Sequence, residues 1–237
     1  MQKQTQLPEK MKVLSGSALK LLAVVTMLID HIASHLMTAD VVLFSVLGHN
    51  VRLYPLLRGV GRMAFPLFAF LLVEGFVHTH SRQKYGLNLL VFTLLSEVPW
   101  DLLHHGVWFS FKSQSVFVTL LLGFAAMYAL ELLQHKPVLQ IAAILLGAVL
   151  TVVLRADFSV LGFAFILMLY ALREHEVLRI LSAFVLNMQW WSLLAFVPIS
   201  LYNGKRGFIH GKVLKYAFYA FYPLHMLVLY LFKFHII

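Results

Sequence analysis

The sequence predicts an all-α integral membrane protein, a polytopic bundle of about eight or nine transmembrane helices joined by short loops. The chain of 237 residues is 61% hydrophobic and only 12% charged, and its mean hydropathy is +0.84. Its apolar residues fall into successive runs close to 20 residues, the length that crosses a bilayer as a helix. The short polar segments between these runs leave no room for a soluble domain.

Seven apolar runs are predicted to be spans: residues 18–37, 57–78, 85–103, 116–133, 138–154, 159–172 and 213–233. Between the last two, the apolar stretch 177–202 is interrupted at residues 187–189, so it is either one long helix or two short helices with a break. The longest connection, residues 38–56, is predicted to be a lid or an interfacial segment.

The distribution of basic residues predicts the orientation. Lysine and arginine collect in the cytoplasmic loops of membrane proteins. We therefore attribute the net charge of +9 to such loops and expect no nucleic-acid partner. A cytoplasmic basic tail, residues 1–14, places most basic loops inside. Residues 205–212 join them only if 177–202 crosses twice. The positions of the basic residues favour two crossings by 177–202, whereas its length favours one. We prefer two crossings by a broken helix, which gives nine crossings in all. Broken helices in membranes usually line a cavity.

Composition also limits the chemistry. The chain has no cysteine, which excludes disulfides, a thiolate nucleophile and a cysteine-held metal. Two histidine pairs, His78 with His80 and His104 with His105, lie in or next to loops. Neither pair has a convincing third ligand within sequence reach, so we expect no metal.

An aspartate and a histidine stand side by side in the middle of the first apolar run. An aspartate at the bilayer centre costs about 2.5–3.5 kcal/mol on insertion scales, so Asp30 and His31 mark a candidate functional site. Neighbouring helical side chains point about 100° apart. Each is therefore expected to find its partner on another helix: Asp30 an arginine such as Arg62, and His31 a carboxylate or a ligand.

Basic residues accompany this pair. Lys20 precedes His31 by eleven residues, which places the two on one helical face about 16 Å apart along the axis. One would lie at the membrane surface and the other deep inside. In the second run, Arg58 and Arg62 share a face. Together they either clamp a phosphate-bearing ligand or extend to the membrane edge.

Two later spans carry further polar candidates. The third run ends in SEVPWDL, where Pro99 frees a backbone carbonyl near Glu97. Glu97 either orients His31 or accepts a proton, or it is an interfacial carboxylate paired with an arginine. The last run, KYAFYAFYPLH, places Tyr222 and His225 on one helical face. They are either site residues or part of an aromatic belt and a histidine bonded to one carbonyl.

Five segments, in this order, resemble the TraX family: LSGSALKLLAVVTMLIDHIASH, GRMAFPLFAFLLVEGFVHT, LLSEVPWDL, NGKRG and YAFYPLHMLVLY. The resemblance runs from about residue 14 to residue 232. It implies a bacterial inner-membrane acetyltransferase. We expect a multi-pass protein whose residues 15–237 form one acyltransferase-like domain, with the N-terminus in the cytoplasm as the basic residues predict. The namesake of the family acetylates the amino terminus of conjugative pilin from acetyl-CoA.

The TraX family is also similar to membrane acyltransferases that acetylate surface glycans. In those proteins a basic residue near the start of the first helix precedes a histidine by eleven positions. His31 matches that histidine, and Lys20 stands where the larger set usually has arginine. The resemblance implies acetyl-CoA as donor and membrane lipid as surroundings. It leaves the acceptor open between a protein amino terminus and a glycan.

On this interpretation His31 is the general base, and transfer is direct or passes through an acyl-histidine. Glu97 is expected to orient the His31 ring, Asp30 to hold Arg62, and Tyr222 or His225 to donate to the developing oxyanion. A cytoplasmic rim of basic residues is expected to bind the phosphates of acetyl-CoA: Lys20, Arg58, Arg62, Lys205 and Arg206.

A proton-coupled transporter would use the same kinds of buried group, the Asp, His, Arg and Glu of this chain. Many transporters contain two matched halves, and no such internal repeat stands out in this sequence. The buried residues alone do not separate the two classes. The family resemblance favours the enzyme.

Overall fold

The protein is a helical bundle in this computed structural model, which describes residues 8–37, 41–46, 49–186 and 190–236. The helices are α1 (Gly16–Leu36), α2 (Leu53–Gly61), α3 (Ala64–His78), α4 (Arg82–His105), α5 (Val116–Leu132), α6 (Pro137–Val153), α7 (Ser159–Ala171), α8 (Glu176–Val185), α9 (Trp190–Leu193), α10 (Phe196–Ser200) and α11 (Lys212–Leu231). Each of the seven predicted spans contains a helix.

Length and composition separate the helices into two groups. Among the described residues, four segments are long and apolar enough to cross a membrane: Gly16–Leu36, Leu53–His78, Arg82–His105 and Lys212–Ile236. Shorter apolar helices cover Val116–Leu132, Pro137–Val153, Ser159–Ala171 and Trp190–Ser200. The break predicted at residues 187–189 lies outside the described residues.

The all-α prediction agrees with the mostly helical structure, which contains one short hairpin in the described residues. The connection expected to be a lid or interfacial segment contains an antiparallel hairpin of β1 (Val42–Val46) and β2 (His49–Arg52). Val42 and Phe44 have strand propensity, and both side chains are exposed.

The core is built around α3. This helix buries apolar side chains on most of its circumference, including Phe65, Leu67, Phe70 and Phe76, as expected for a helix at the centre of a bundle. α1, α5, α7 and α10 all contribute buried residues to the same cluster. α6 instead exposes Leu145 and other large apolar residues, which suits a helix that faces lipid.

The first helix is capped by a distant loop. The amides of Gly16 and Ser17 donate to the carbonyls of Lys205 and Arg206 at 2.8 and 2.9 Å, which satisfies groups that the first turn of a helix leaves free. Gly207 has φ of 81° and lies so close to the Ser17 hydroxyl that a Cβ would be crowded. The NGKRG segment therefore joins the loop before α11 to the start of α1.

Helices α1 and α11 run parallel and in register. Lys20 lies near Lys215 at one end, while His31 bonds to His225 farther along. Two parallel helices begin on the same side of the bundle. The loops before α1 and α11 therefore lie together at one end of the bundle. Helix α4 packs beside α11, and His104 near its end lies close to His31 and His35. The loop between α4 and α5 therefore lies at the other end.

This arrangement predicts a labelling pattern in a chain with no native cysteine. Cysteines introduced at the exposed positions Lys10 and His210 will react with a membrane-impermeant maleimide from the same side of the membrane. A cysteine at the exposed Lys112 will react from the opposite side. Labelling of positions 10 and 210 from opposite sides would contradict the parallel packing of α1 and α11.

Candidate functional site

A cavity of about 150 Å³ lies among α1, α2, α3, α4, α11 and the α6–α7 turn. Four of the site residues predicted from the first two apolar runs line it. They are Asp30, His31, Arg58 and Arg62. Tyr222 from α11 lines it as well, so the structure brings five predicted site residues together.

Asp30 pairs with Arg58. The Arg58 Nη1 atom lies 2.7 Å from Asp30 Oδ2, and both side chains are partly buried. The expected pairing with Arg62 was wrong, since Arg58 and Arg62 lie one turn apart on the same face and only packing decides which reaches Asp30. The pair needs a close approach of α2 to α1: a Cβ on Gly61 would overlap the Asp30 side chain.

The Arg62 side chain lines the cavity, and it forms no hydrogen bond or ion pair within the described ranges. The carboxylates that its charge influences are those of Asp157 and Asp30. Asp157 follows α6 and reaches the cavity because Phe158, the next residue, stacks on Phe65 with ring centroids 3.8 Å apart. Burial raises the pKa of Asp157 to about 6, and the charge of Arg62 opposes that rise.

His31 is held by a second histidine. Its Nδ1 lies 2.7 Å from His225 Nε2, and the two rings are nearly parallel, 14° apart. His225 Nδ1 lies 2.8 Å from the carbonyl of Phe221. A carbonyl only accepts, so His225 Nδ1 carries a hydrogen and, in the neutral ring, Nε2 accepts from His31 Nδ1. His31 Nε2 is then left with its lone pair, the form of a base.

This contact corrects the role predicted for His225. Both of its ring nitrogens are engaged, one by Phe221 and one by His31, so it has no donor left for an oxyanion. Tyr222 keeps that possibility. Its ring lies edge-on to His31, and its buried hydroxyl has no hydrogen-bond partner of normal geometry among the described residues.

Glu97 does not orient His31. Its carboxylate accepts from the Ser115 hydroxyl at 2.6 Å and from the Ser115 amide at 3.3 Å. Ser115 precedes α5, where a negative charge is favoured by the helix dipole. Glu97 therefore stabilises the α4–α5 junction, and His225 provides the contact to His31 that was predicted for it.

The five basic residues predicted to form one rim belong to two places. Arg58 and Arg62 line the cavity with Asp30. Lys20 lies ten residues before Asp30 in α1, close to Arg206 and Lys215, and Lys205 adjoins Arg206 in the capping loop. The rise of an α-helix puts these two groups about 15 Å apart along the axis, so they do not form a single surface.

Sequence reasoning missed a row of histidines. His35 lies one turn after His31, and its ring meets that of His104 edge-on at 4.6 Å. His104 stacks on Trp100 and bonds to the Trp100 carbonyl at 3.0 Å. The i, i+4 spacing of His31 and His35 was the available signal. Across the described ranges, no group of three or more His, Cys, Asp or Glu side chains is arranged to hold a metal.

Comparison with known proteins places this chain in a family. A family model described as TraX protein matches residues 15–233. The chain belongs to the TraX family. It is also 27% identical, over 91% of its own length and 94% of the relative's, to a protein described as probable fimbrial assembly protein FimC, serogroup H1, from Dichelobacter nodosus. No solved structure matches.

The structure gives the TraX-like segments distinct tasks. Asp30 and His31 of the first segment and Arg62 of the second line the cavity, and His225 of the last holds His31. The third supplies Trp100 to the cavity wall, and Glu97 to the cap of α5. NGKRG caps α1 through its backbone. Only part of the resemblance is therefore concentrated at the cavity.

The Asp30–Arg58 pair can be tested by double-mutant cycles. Combining Asp30→Ala with Arg58→Ala should give a coupling energy of about 1–2 kcal/mol, because the two side chains touch. Combining Asp30→Ala with Arg62→Ala should give about 0.5 kcal/mol or less. The measurement is unfolding of the purified protein in detergent. Equal couplings to both arginines would contradict the pairing.

The raised pKa of Asp157 predicts a pH dependence. Its folded pKa of about 6 exceeds the usual value of 3.8, so the folded state binds more protons between these values and its stability falls as pH rises through them. Asp157→Asn removes that fall. The variant's melting temperature relative to the parent should therefore rise from pH 4 to pH 6 and level off above. A difference that stays constant over this range would contradict the raised pKa.

Proposed function

We propose that this TraX-family protein is a membrane acetyltransferase that transfers an acetyl group from acetyl-CoA to an amine or hydroxyl of a membrane-associated or exported acceptor. The observation that carries the proposal is the His31–His225 hydrogen bond, which leaves an unprotonated nitrogen on His31 in a residue that lines a polar cavity. Family membership and the relative's fimbrial assembly name support a pilin amino terminus as the acceptor, with a glycan as the alternative.

The chemistry follows from that base. The acceptor nitrogen or oxygen attacks the thioester carbonyl, and His31 Nε2 takes its proton as the new bond forms. The carbon–sulfur bond then breaks, and the proton on His31 passes to the departing thiolate, which leaves as coenzyme A. A base whose hydrogen-bond partner fixes its tautomer is the arrangement that such acid–base chemistry requires.

Two cavity residues are proposed to support the transition state. The buried Tyr222 hydroxyl donates to the carbonyl oxygen as it gains negative charge. Arg62 adds a positive charge that is not paired directly with a carboxylate. Arg58 is already neutralised by Asp30, so we assign this pair to holding α2 against α1.

The donor is proposed to enter from the end of the bundle that carries Lys20, Lys205 and Arg206, where its phosphates meet positive charge. Its pantetheine arm then reaches toward His31, about 16 Å away along α1. This keeps three of the five residues predicted for donor binding. It moves Arg58 and Arg62 from donor binding to the cavity.

We further propose an inner-membrane location, a cytoplasmic N-terminus and nine crossings. The parallel packing of α1 and α11 supports this count, because it fits an even number of crossings between α7 and α11. We assign these two short crossings to α8 and to the α9–α10 segment. The positive-inside rule puts Lys10 and Lys12 in the cytoplasm. The cavity then lies in the outer half of the membrane, which suits an exported acceptor.

The test of the base is the release of free thiol from acetyl-CoA by purified protein, which the cysteine-free chain does not obscure. His31→Ala should lower the rate by about 10²–10⁴, while His210→Ala, at an exposed loop position, should leave it unchanged. Full turnover by folded His31→Ala would overturn the assignment. If the parent releases no thiol but moves solute into vesicles with protons, the protein is a transporter.

His225 can be tested as the residue that positions His31. His225→Leu removes the acceptor for His31 Nδ1, a loss of about 1–3 kcal/mol or roughly 5- to 150-fold in rate. His225→Gln keeps an acceptor and should recover most of the activity. Equal losses in these two variants, with both folded, would show that His225 contributes packing alone.

A further inference from the structure

A second cavity lies at the opposite end of the bundle and is larger, about 610 Å³. It is walled by α3, α8, the end of α10 and the capping loop. Phe65 and Phe68 of α3 line the first cavity, whereas Phe70 and Glu74 line the second. At about 100° per residue these two pairs project from opposite sides of α3. The second cavity is therefore separate from the site of His31.

One wall of the second cavity carries a buried arginine that is incompletely hydrogen-bonded within the described part of the chain. Arg179 of α8 is 9% exposed, and its buried Nε atom has no hydrogen-bond partner among the described residues. Its guanidinium lies over the ring of Phe70, 5.4 Å from the centroid. A cation–π contact is weak beside the cost of burying a charge, so the buried Nε atom still needs an acceptor that the described residues do not supply.

The carboxylates nearby do not fill that need. Glu74 and Glu176 influence Arg179 electrostatically, but neither forms an ion pair with it in the described structure. Glu74 lies beside the Tyr202 hydroxyl, and Glu174 pairs with Arg173 at 3.4 Å. Four cations line the cavity against three carboxylates: Lys12, Arg173, Arg179 and Lys205 against Glu74, Glu174 and Glu176.

We propose that this cavity binds the phosphate group of a ligand, with Arg179 as the buried recognition residue and Lys12, Arg173 and Lys205 at its rim. The planar guanidinium matches phosphate oxygens with paired donors, and the volume lies in the range of small-ligand sites. The phosphate belongs either to a soluble ligand or to a lipid headgroup. The cavity shares Lys205 with the proposed entry of acetyl-CoA, but phosphate binding at Arg179 does not depend on acetyl transfer at His31.

The experiment compares parent, Arg179→Gln and Arg155→Gln proteins purified in a non-ionic detergent. Arg155 is an exposed arginine after α6, outside both cavities, and serves as the matched control. One arm titrates pyrophosphate and coenzyme A by calorimetry. The other adds phosphatidylglycerol and counts retained lipids by native mass spectrometry. Folding of each variant is checked by circular dichroism.

Arg179→Gln should weaken binding in one arm by about 10- to 100-fold, and Arg155→Gln should bind like the parent. The affected arm identifies the source of the phosphate. If folded Arg179→Gln binds pyrophosphate, coenzyme A and phosphatidylglycerol as the parent does, the proposal is overturned. Loss of thiol release without any change in these affinities would concern the acetyltransfer proposal alone.

Discussion

The contact between Asp30 and Arg58 governs the rest of the site. A carboxylate within an apolar bundle is expensive unless a positive charge neutralises it, and breaking such a pair leaves a buried charge behind. Arg58 reaches Asp30 because α2 approaches α1 at Gly61, where no side chain intervenes. That approach sets the position of Arg62 one turn later and closes one side of the cavity against His31.

The second determinant is the pairing of α1 with α11, which are distant in sequence and parallel in space. It joins His31 to His225 at the cavity, and the loop before α11 joins the first turn of α1. Both contacts act on the same helix. The cap from the loop before α11 fixes the position of α1 along its axis. The bond to His225 fixes which nitrogen of the His31 ring carries the hydrogen. Helix α11 and the loop before it therefore determine both the position of α1 and the tautomer of His31.

The sequence predicted the helices well because a long apolar run in a bilayer has few alternatives to a helix. It also singled out Asp30 and His31, because polar side chains in such a run are costly to bury in the membrane. It did not decide between Arg58 and Arg62, which share a helical face. Asp157 gave no local signal, since the stacking of Phe158 on Phe65 brings it in. Glu97 was misassigned because its partner, Ser115, lies in the following loop.

The cap on α1 has a consequence for biosynthesis. A chain made from its N-terminus inserts α1 first, yet the carbonyls that satisfy its opening turn come from Lys205 and Arg206. Most of the polypeptide is therefore synthesised before the first turn of α1 has these hydrogen-bond partners. A ribosome stalled before the capping loop would leave an inserted but immature intermediate, in which His31 also lacks His225. The site around His31 can therefore be completed only near the end of synthesis, when α11 is available.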